Sequence, residues 1–175
     1  GDVFRINKAN TFYETNDNGA TYTFTQDGRE VHDGIEFTAT GKITDDVTVL
    51  AGATFIDPKI TQTNTALYLN TAPANVARNL IKASVDYALP FLPGVTLTGG
   101  VYRTGSFIGN QFGSAIEHLS GYTTADLGAR FTTAINNMLV TFRLNVTNIT
   151  DNAYWQWSDT LGAPRTVSFS MSMDL

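Results

Sequence analysis

The stretch Thr166-Val167-Ser168-Phe169-Ser170-Met171-Ser172-Met173-Asp174-Leu175 alternates polar and apolar side chains without a break. Successive side chains of a β-strand point to opposite faces, so Val167, Phe169, Met171, Met173 and Leu175 form one apolar face. Thr166, Ser168, Ser170, Ser172 and Asp174 form a polar one. A helix would scatter both sets around its axis. The segment therefore predicts a strand with one face toward an apolar medium and the other toward a polar one.

The pattern recurs upstream. Val140, Phe142, Leu144 and Val146 oppose Thr141, Arg143, Asn145 and Thr147; Ala125, Leu127, Ala129 and Phe131 oppose Thr124, Asp126, Gly128 and Arg130. Ile81, Ala83, Val85 and Tyr87 oppose Lys82, Ser84 and Asp86, and Ile35, Phe37, Ala39 and Ile43 oppose Glu36, Thr38, Thr40 and Lys42. Fainter alternation runs from Val47 to Phe55 and from Val95 to Val101, and a first strand lies near Phe4 to Phe12. This makes about eight strands of roughly ten residues, the length that crosses a bilayer when tilted. The connections alternate as well. Those at Thr44-Asp45-Asp46, Leu89 to Gly94 and Thr132 to Asn137 are tight; those at Asp57 to Pro73, Gly105 to Leu119 and Asn148 to Pro164 are long. A transmembrane barrel sorts its loops in this way, with short turns on the periplasmic side and long loops outside. Leu175, following a long loop and one strand, is expected on the periplasmic side.

Composition narrows the alternatives. The 175 residues carry a net charge of -5, with Lys and Arg scattered and no basic stripe, which excludes nucleic acid as a partner. No cysteine is present, so disulfides, thiolate metal sites and thiol nucleophiles are excluded. No apolar run approaches the about 20 residues of a membrane helix; the patch from Tyr87 to Val95 is broken by Pro90 and Pro93. The chain opens Gly1-Asp2-Val3-Phe4-Arg5 directly into a strand pattern, as a segment of something longer or a processed form does. Alternating strands also build soluble sandwiches and lipocalin-like barrels. Two features favour the membrane: the polar faces carry charge, as an aqueous lumen does, and aromatics gather at strand ends (Tyr13, Tyr22, Phe107, Phe112, Tyr122, Tyr154, Trp155, Trp157), as interfacial girdles do. Simple alternation also puts Lys8 and Asn79 on the lipid face, which requires that they lie near a rim or that the register slips there.

Six stretches carry a resemblance. Phe4-Arg5-Ile6-Asn7-Lys8-Ala9-Asn10 resembles an FRI-x-K-x-N strand, and Val31-His32-Asp33-Gly34-Ile35-Glu36-Phe37 followed by Gly41-Lys42-Ile43-Thr44 resembles a V-x-G-[IV]-E segment running into a G-x-[IL]-T turn. Leu50 to Asp57 is similar to L-x-G-x-T-[FY]-x-D, and Gly121 to Phe131 to P-G-Y-x-x-x-D-L-x-A-R-Y, with Ser120 in place of the proline. Leu144 to Asp151 resembles L-N-V-x-N-L-F-D, and Gly162 to Val167 resembles G-x-P-R-T leading into a last strand. These are motifs of TonB-dependent siderophore receptors, met here in order along essentially the whole chain. The family usually ends in an aromatic residue, where this chain has Leu175.

The resemblance implies an all-β, antiparallel transmembrane β-barrel segment. Residues 1–175 would be the C-terminal part of a barrel of about 22 strands, without the plug domain. It implies TonB-energised uptake of a ferric siderophore across the bacterial outer membrane, with no catalysis and no resident cofactor. Its implied partners are outer-membrane lipid, the plug and remaining strands, the TonB complex through the missing N-terminal part, and the ferric siderophore.

Tyr68, Tyr154, Trp155 and Trp157 are either interfacial anchors or residues of an outer vestibule that stack on the cargo. Asp126, Arg130, Arg143 and Arg165 are candidates to hydrate the lumen or meet the plug. Two rival readings remain. One is a self-contained small barrel acting as anchor or adhesin. The other is a barrel hydrolase using the rim histidines His32 and His118, beside Asp33 and Glu117, although no HExxH, paired-His or serine-elbow motif accompanies them.

Overall fold

The computed structural model describes residues 1–112 and 115–174. Its main sheet is an antiparallel meander of eight strands, built from β1 (Asp2–Asn16), β2 (Thr21–Lys42), β3 (Val47–Gln62), β4 (Asn79–Ala88), β5 (Val95–Thr104), β8 (Tyr122–Ile135), β9 (Met138–Thr147) and β12 (Thr166–Asp174). Two small hairpins stand apart from it: β6 (Phe107–Phe112) with β7 (Ala115–Leu119), and β10 (Trp155–Trp157) with β11 (Thr160–Leu161). Each main strand pairs with its neighbours in the meander. Among the described residues β1 does not pair with β12, so the sheet is an open wall with two free edges.

Cross-strand register fixes the faces. Phe37 lies opposite Ala53, Ala53 opposite Ile81, Val101 opposite Ala125, Leu127 opposite Val146, and Val146 opposite Val167. All the apolar sets read from the sequence thus fall on one side of the wall, while Glu36, Lys82, Asp86, Arg130, Arg143 and Ser172 share the other. Phe37, Val101, Leu127, Phe169 and Met171 are exposed, because the wall is a single layer; Val140, 1% exposed, is the exception on this face. An apolar face of this extent is stable only against hydrocarbon or a partner, and a wall whose backbone bonds run strand to strand is the β architecture hydrocarbon tolerates. From Ile35 to Ile43 the outward face of β2 carries no charge. At about 3.3 Å per residue and a tilt near 40°, that stretch spans roughly 20 Å of membrane.

The three short turns are built by local chemistry. Thr44 Oγ1 accepts the N–H groups of Asp46 and Val47 at 3.3 and 3.1 Å, closing the β2–β3 turn. Gly94 ends the β4–β5 turn at φ 85, where a Cβ would strike the Thr132 carbonyl oxygen. Strands β8 and β9 run closer together than the sequence suggests. The expected link from Thr132 to Asn137 shrinks to Asn136-Asn137, both left-handed (φ 51 and 64), as a two-residue hairpin turn requires.

The opposite end differs from a set of plain loops. Strand β2 begins at Thr21, far ahead of the stretch that alternation marked, and with β1 it projects as a hairpin beyond the apolar band. The band ends outward at a row of charges: Arg5 donates from Nε and Nη2 to the Asp33 carboxylate at 2.6 and 2.8 Å, and Lys59 pairs with Asp57 at 2.7 Å. Above that row Ile60 N–H bonds to Thr71, Asn70 N–H to Ile60, and Asn75 N–H to Ile108, while the Gln111 amide donates to Thr71 and Ala72. The outer ends of β2 and β3, residues 63–78 and the β6/β7 hairpin thereby form one body, and Ile60, Ala72, Phe107, Ile108 and Leu119 are buried in it.

This register corrects one expectation. Lys8 lies opposite Glu30, on the side of Glu36, and so faces inward rather than to lipid; its Nζ is 2.8 Å from Glu30 Oε1. Asn79, opposite Phe55, is outward at the end of β4, where Gly105 N–H bonds to its carbonyl; it lies at the rim. Leu175, expected to continue the apolar parity of β12, lies outside the described residues, as does the side chain of Phe112.

Candidate functional site

The chemistry of a wall resides in its inner face and outer loops. On the inner face Arg130 and Arg143 lie directly opposite each other across β8 and β9. Arg130 Nη2 is 3.7 Å from Asp86 Oδ2, and Arg143 Nη1 donates to Ser172 Oγ at 3.2 Å. Both are inward, as the alternation indicates. Asp126 is inward too, but its Oδ1 accepts the Asn148 N–H at 2.9 Å, which ties β8 to the base of the outer loop. Arg165 is not on the inner face. Its backbone N–H and Nη2 engage the Asp151 carboxylate at 3.0 and 3.4 Å, and its Nη1 reaches the Ile149 carbonyl.

That loop base is organised by a residue the sequence reading passed over. Asn148, 4% exposed and left-handed at φ 49, donates from Nδ2 to the carbonyls of Asn152 and Ala163, each at 3.0 Å. Its Oδ1 accepts the Asn152 N–H at 3.0 Å. Asn148 and Asp151 belong to one sequence motif and Arg165 to another, and in space the two are a single clasp closing the loop from Asn148 to Arg165. The signal was present in the spacing of those motifs; what was missing is that they meet.

The clasp carries the aromatic candidates. Tyr154 stacks on Tyr122 with ring centroids 3.9 Å apart and planes at 21°. Burial pushes the Tyr154 phenol above its usual range, and the neighbouring Tyr122 and Asp126 add to the effect against a hydrogen bond with the Ala163 backbone. Trp155 and Trp157 stand on β10, 47% and 45% exposed, with Leu161 opposite Trp155. Tyr68 lies in the short turn of residues 66–68 and lines a groove of about 860 Å³ with Phe12, Tyr13, Tyr22, Ile60 and Gln111. Its loop joins β3 to β4 and the tryptophan loop joins β9 to β12, four strand spacings or roughly 19 Å along the wall. Tyr68 and the tryptophans are therefore not brought together.

The strand-end aromatics are not one girdle. Tyr13 and Phe24 pair at 5.4 Å far out on the projecting hairpin, and Phe107 is buried in the outer body. A row the sequence reading did not single out lies at the other end, where Phe131, Phe142 and Phe169 follow one another across β8, β9 and β12 at 6.4 Å spacings on the outward face. The two histidines are also apart. His32 is buried beside Glu30 (Nε2 to Oε2 3.4 Å), whereas His118 lies on β7 opposite Ile108. Among the described residues no group of three His, Cys, Asp or Glu side chains could hold a metal ion.

An open antiparallel wall with an apolar outer face, a charged inner face, short turns at one end and elaborated loops at the other is a segment of a transmembrane β-barrel. Comparison with known proteins names its kind: the family model of the TonB dependent receptor-like beta-barrel matches residues 1–149, and the chain belongs to that family. It is 31% identical over 153 residues to the ferrichrome receptor FcuA of Yersinia enterocolitica, a match covering 84% of this chain and 20% of that protein. Its fold superposes on the ferric preacinetobactin receptor BauA of Acinetobacter baumannii with a TM-score of 0.83 and 29% identity, covering 99% of this chain and 26% of the other. The ferric-catecholate import receptor Fiu of E. coli K12, at 23% identity and a TM-score of 0.74, shares the fold over 97% of this chain and 24% of its own. The chain thus spans about a fifth to a quarter of the relatives it matches. These relatives are receptors, not enzymes.

Proposed function

We propose that this chain is the C-terminal part of the barrel wall of an outer-membrane receptor that takes up a ferric siderophore with energy from TonB. The carrying observation is the two-faced wall with both edges unpaired. Its outer face suits lipid, its inner face a hydrated, plugged lumen, and its free edges the remaining strands of a larger barrel. A self-contained eight-strand barrel would hydrogen-bond β1 to β12, and among the described residues these two strands do not pair. The kinship with receptors for ferrichrome and ferric preacinetobactin supports an iron chelate as cargo.

In this reading the loops that bear Tyr68, Trp155 and Trp157 lie outside the cell, where they meet the cargo. Arg130 and Arg143 face the plug, and Asp126, with Arg165, holds the outer loop in place. The C-terminus lies on the periplasmic side. The test is radio-iron uptake by an iron-starved strain carrying the intact gene as its only siderophore receptor. Uptake of a supplied ferric siderophore is expected, and it should disappear in a strain without TonB. Uptake indifferent to TonB, or none from any of a panel of ferric siderophores, overturns the reading.

A further inference from the structure

We infer that the membrane-facing side of the wall carries a lipid site, in which a groove across β4, β5 and β8 seats an acyl chain and Arg103 above it binds the lipid's phosphate. The inference rests on the reading of this chain as a membrane-embedded wall and adds a ligand to its outer face.

The groove has a volume of about 450 Å³. In register, Val85, Gly99 and Leu127 form one outward row across the three strands, and Ala83, Val101 and Ala125 form the next. The small residues Ala83, Gly99 and Ala125 leave the hollow; Val85, Val101 and Leu127, 39%, 50% and 56% exposed, stand up as its walls. In hydrocarbon such a hollow is filled, because an empty one forfeits the dispersion contacts of its lining. The medium on this face is acyl chain.

Charge complementarity selects the headgroup. The next outward residues toward the rim are Arg103 on β5 and Thr123 on β8, directly opposite each other. Arg103 Nη1 donates to Thr123 Oγ1 at 3.4 Å, which holds the guanidinium over the end of the groove, about 7 Å beyond Val101. Whereas Arg5 and Lys59 on the same face each meet a carboxylate, Arg103 has no ion-pair partner among the described residues. A guanidinium presents a planar fork that matches phosphate oxygens. A zwitterionic headgroup brings its own cation, so the site favours a lipid of net negative charge.

The intact receptor in detergent, stripped of co-purified lipid and mixed with phosphatidylglycerol or phosphatidylcholine, provides the test by native mass spectrometry. The wild type is expected to retain phosphatidylglycerol preferentially. Arg103→Gln should abolish the preference, and Gly99→Leu should abolish the retained adduct by filling the groove. A Cβ at Gly99 meets Leu127 and Val85 no closer than 3.6 Å, so the wall accommodates a side chain there. Equal adducts from both lipids, or adducts that survive both substitutions, mean annular lipid only and overturn the inference. Heat-modifiable migration of each variant on gels reports the folded barrel separately; a wild type that never forms one overturns the membrane reading itself.

Discussion

Asn148 shows how one side chain commits a long loop. Its amide meets two carbonyls and one N–H at 3.0 Å from a side chain that is itself nearly buried, so its loss removes all three bonds at once. Asn148→Ala should cost about 1–3 kcal/mol locally, and the left-handed backbone adds a penalty of order 1 kcal/mol for any residue but Asn, Asp or Gly. The expected outcome is faster proteolytic nicking between Tyr154 and Leu161 in the folded receptor, and an unchanged rate would remove the clasp from the account. Tyr154 supplies a pH dependence to the same loop. Because its folded phenol titrates above the ordinary value of 10.0, the neutral ring's contribution is full below that pH. It is lost as pH rises through the folded value. Alkaline nicking of the loop should therefore be steeper in wild type than in Tyr154→Phe; identical profiles would mean that the stacked ring does not hold it. Gly162→Ala should mimic the loss at neutral pH, since a Cβ there collides with the Tyr154 ring.

At the scale of a strand, parity decides what a substitution costs. Phe169 and Met171 look outward from β12, and Ser170 between them looks inward. An arginine at Met171 meets hydrocarbon and should cost about 2–4 kcal/mol if the site lies near the bilayer midplane. At Ser170 it meets the polar face, where Arg143 lies directly opposite, so it keeps its water and costs only the like-charge repulsion, roughly 0.2–1 kcal/mol. Assembled barrel, scored by heat-modifiable migration, should fall for Met171→Arg and stay near wild type for Ser170→Arg; equal yields would break the assignment of faces. Strand length, by contrast, was only half legible. The lower part of β2 alternates cleanly because its two faces meet different media. Above the Arg5–Asp33 pair both faces meet water or neighbouring loops, so the pattern fades although the strand continues to Thr21. The same loss of contrast hid the Glu30, His32 and Lys8 cluster, in which Glu30 and His32 are buried and the half-exposed Lys8 reaches Glu30.

For the whole wall, the alternation of turn and loop makes orientation testable. The chain contains no cysteine, so a cysteine placed at Asp45, in the β2–β3 turn, or at Asn18, at the tip of the β1/β2 hairpin, is unique within this segment. An impermeant maleimide applied to intact cells should label the Asn18→Cys receptor and leave Asp45→Cys unlabelled until the outer membrane is opened. The reverse result would invert the wall and place the C-terminus outside. The open edges make a related point about cohesion. With no second layer to bury its outward face, the wall draws its stability from the ladder between strands and from its surroundings. The most buried apolar side chains include Val140, on β9 near the β8–β9 turn, and Ile60, in the outer body beyond the membrane band.

The linear order of residues was enough to determine the existence of the eight wall strands, the two faces of most of them, the places of the short turns and the family. Each follows from contrasts between near neighbours, or from motifs that survive as strings. Only the tertiary structure decided that Lys8 turns inward to Glu30, that Asn148, Asp151 and Arg165 form one clasp, and that Tyr68 lies four strands from Trp155 and Trp157. It alone showed that Ala83, Gly99 and Ala125 hollow the outer face beneath Arg103. The reason is physical: strand alternation is a local property with period two, whereas register across a sheet joins residues tens of positions apart, and no short-range pattern encodes which of them meet.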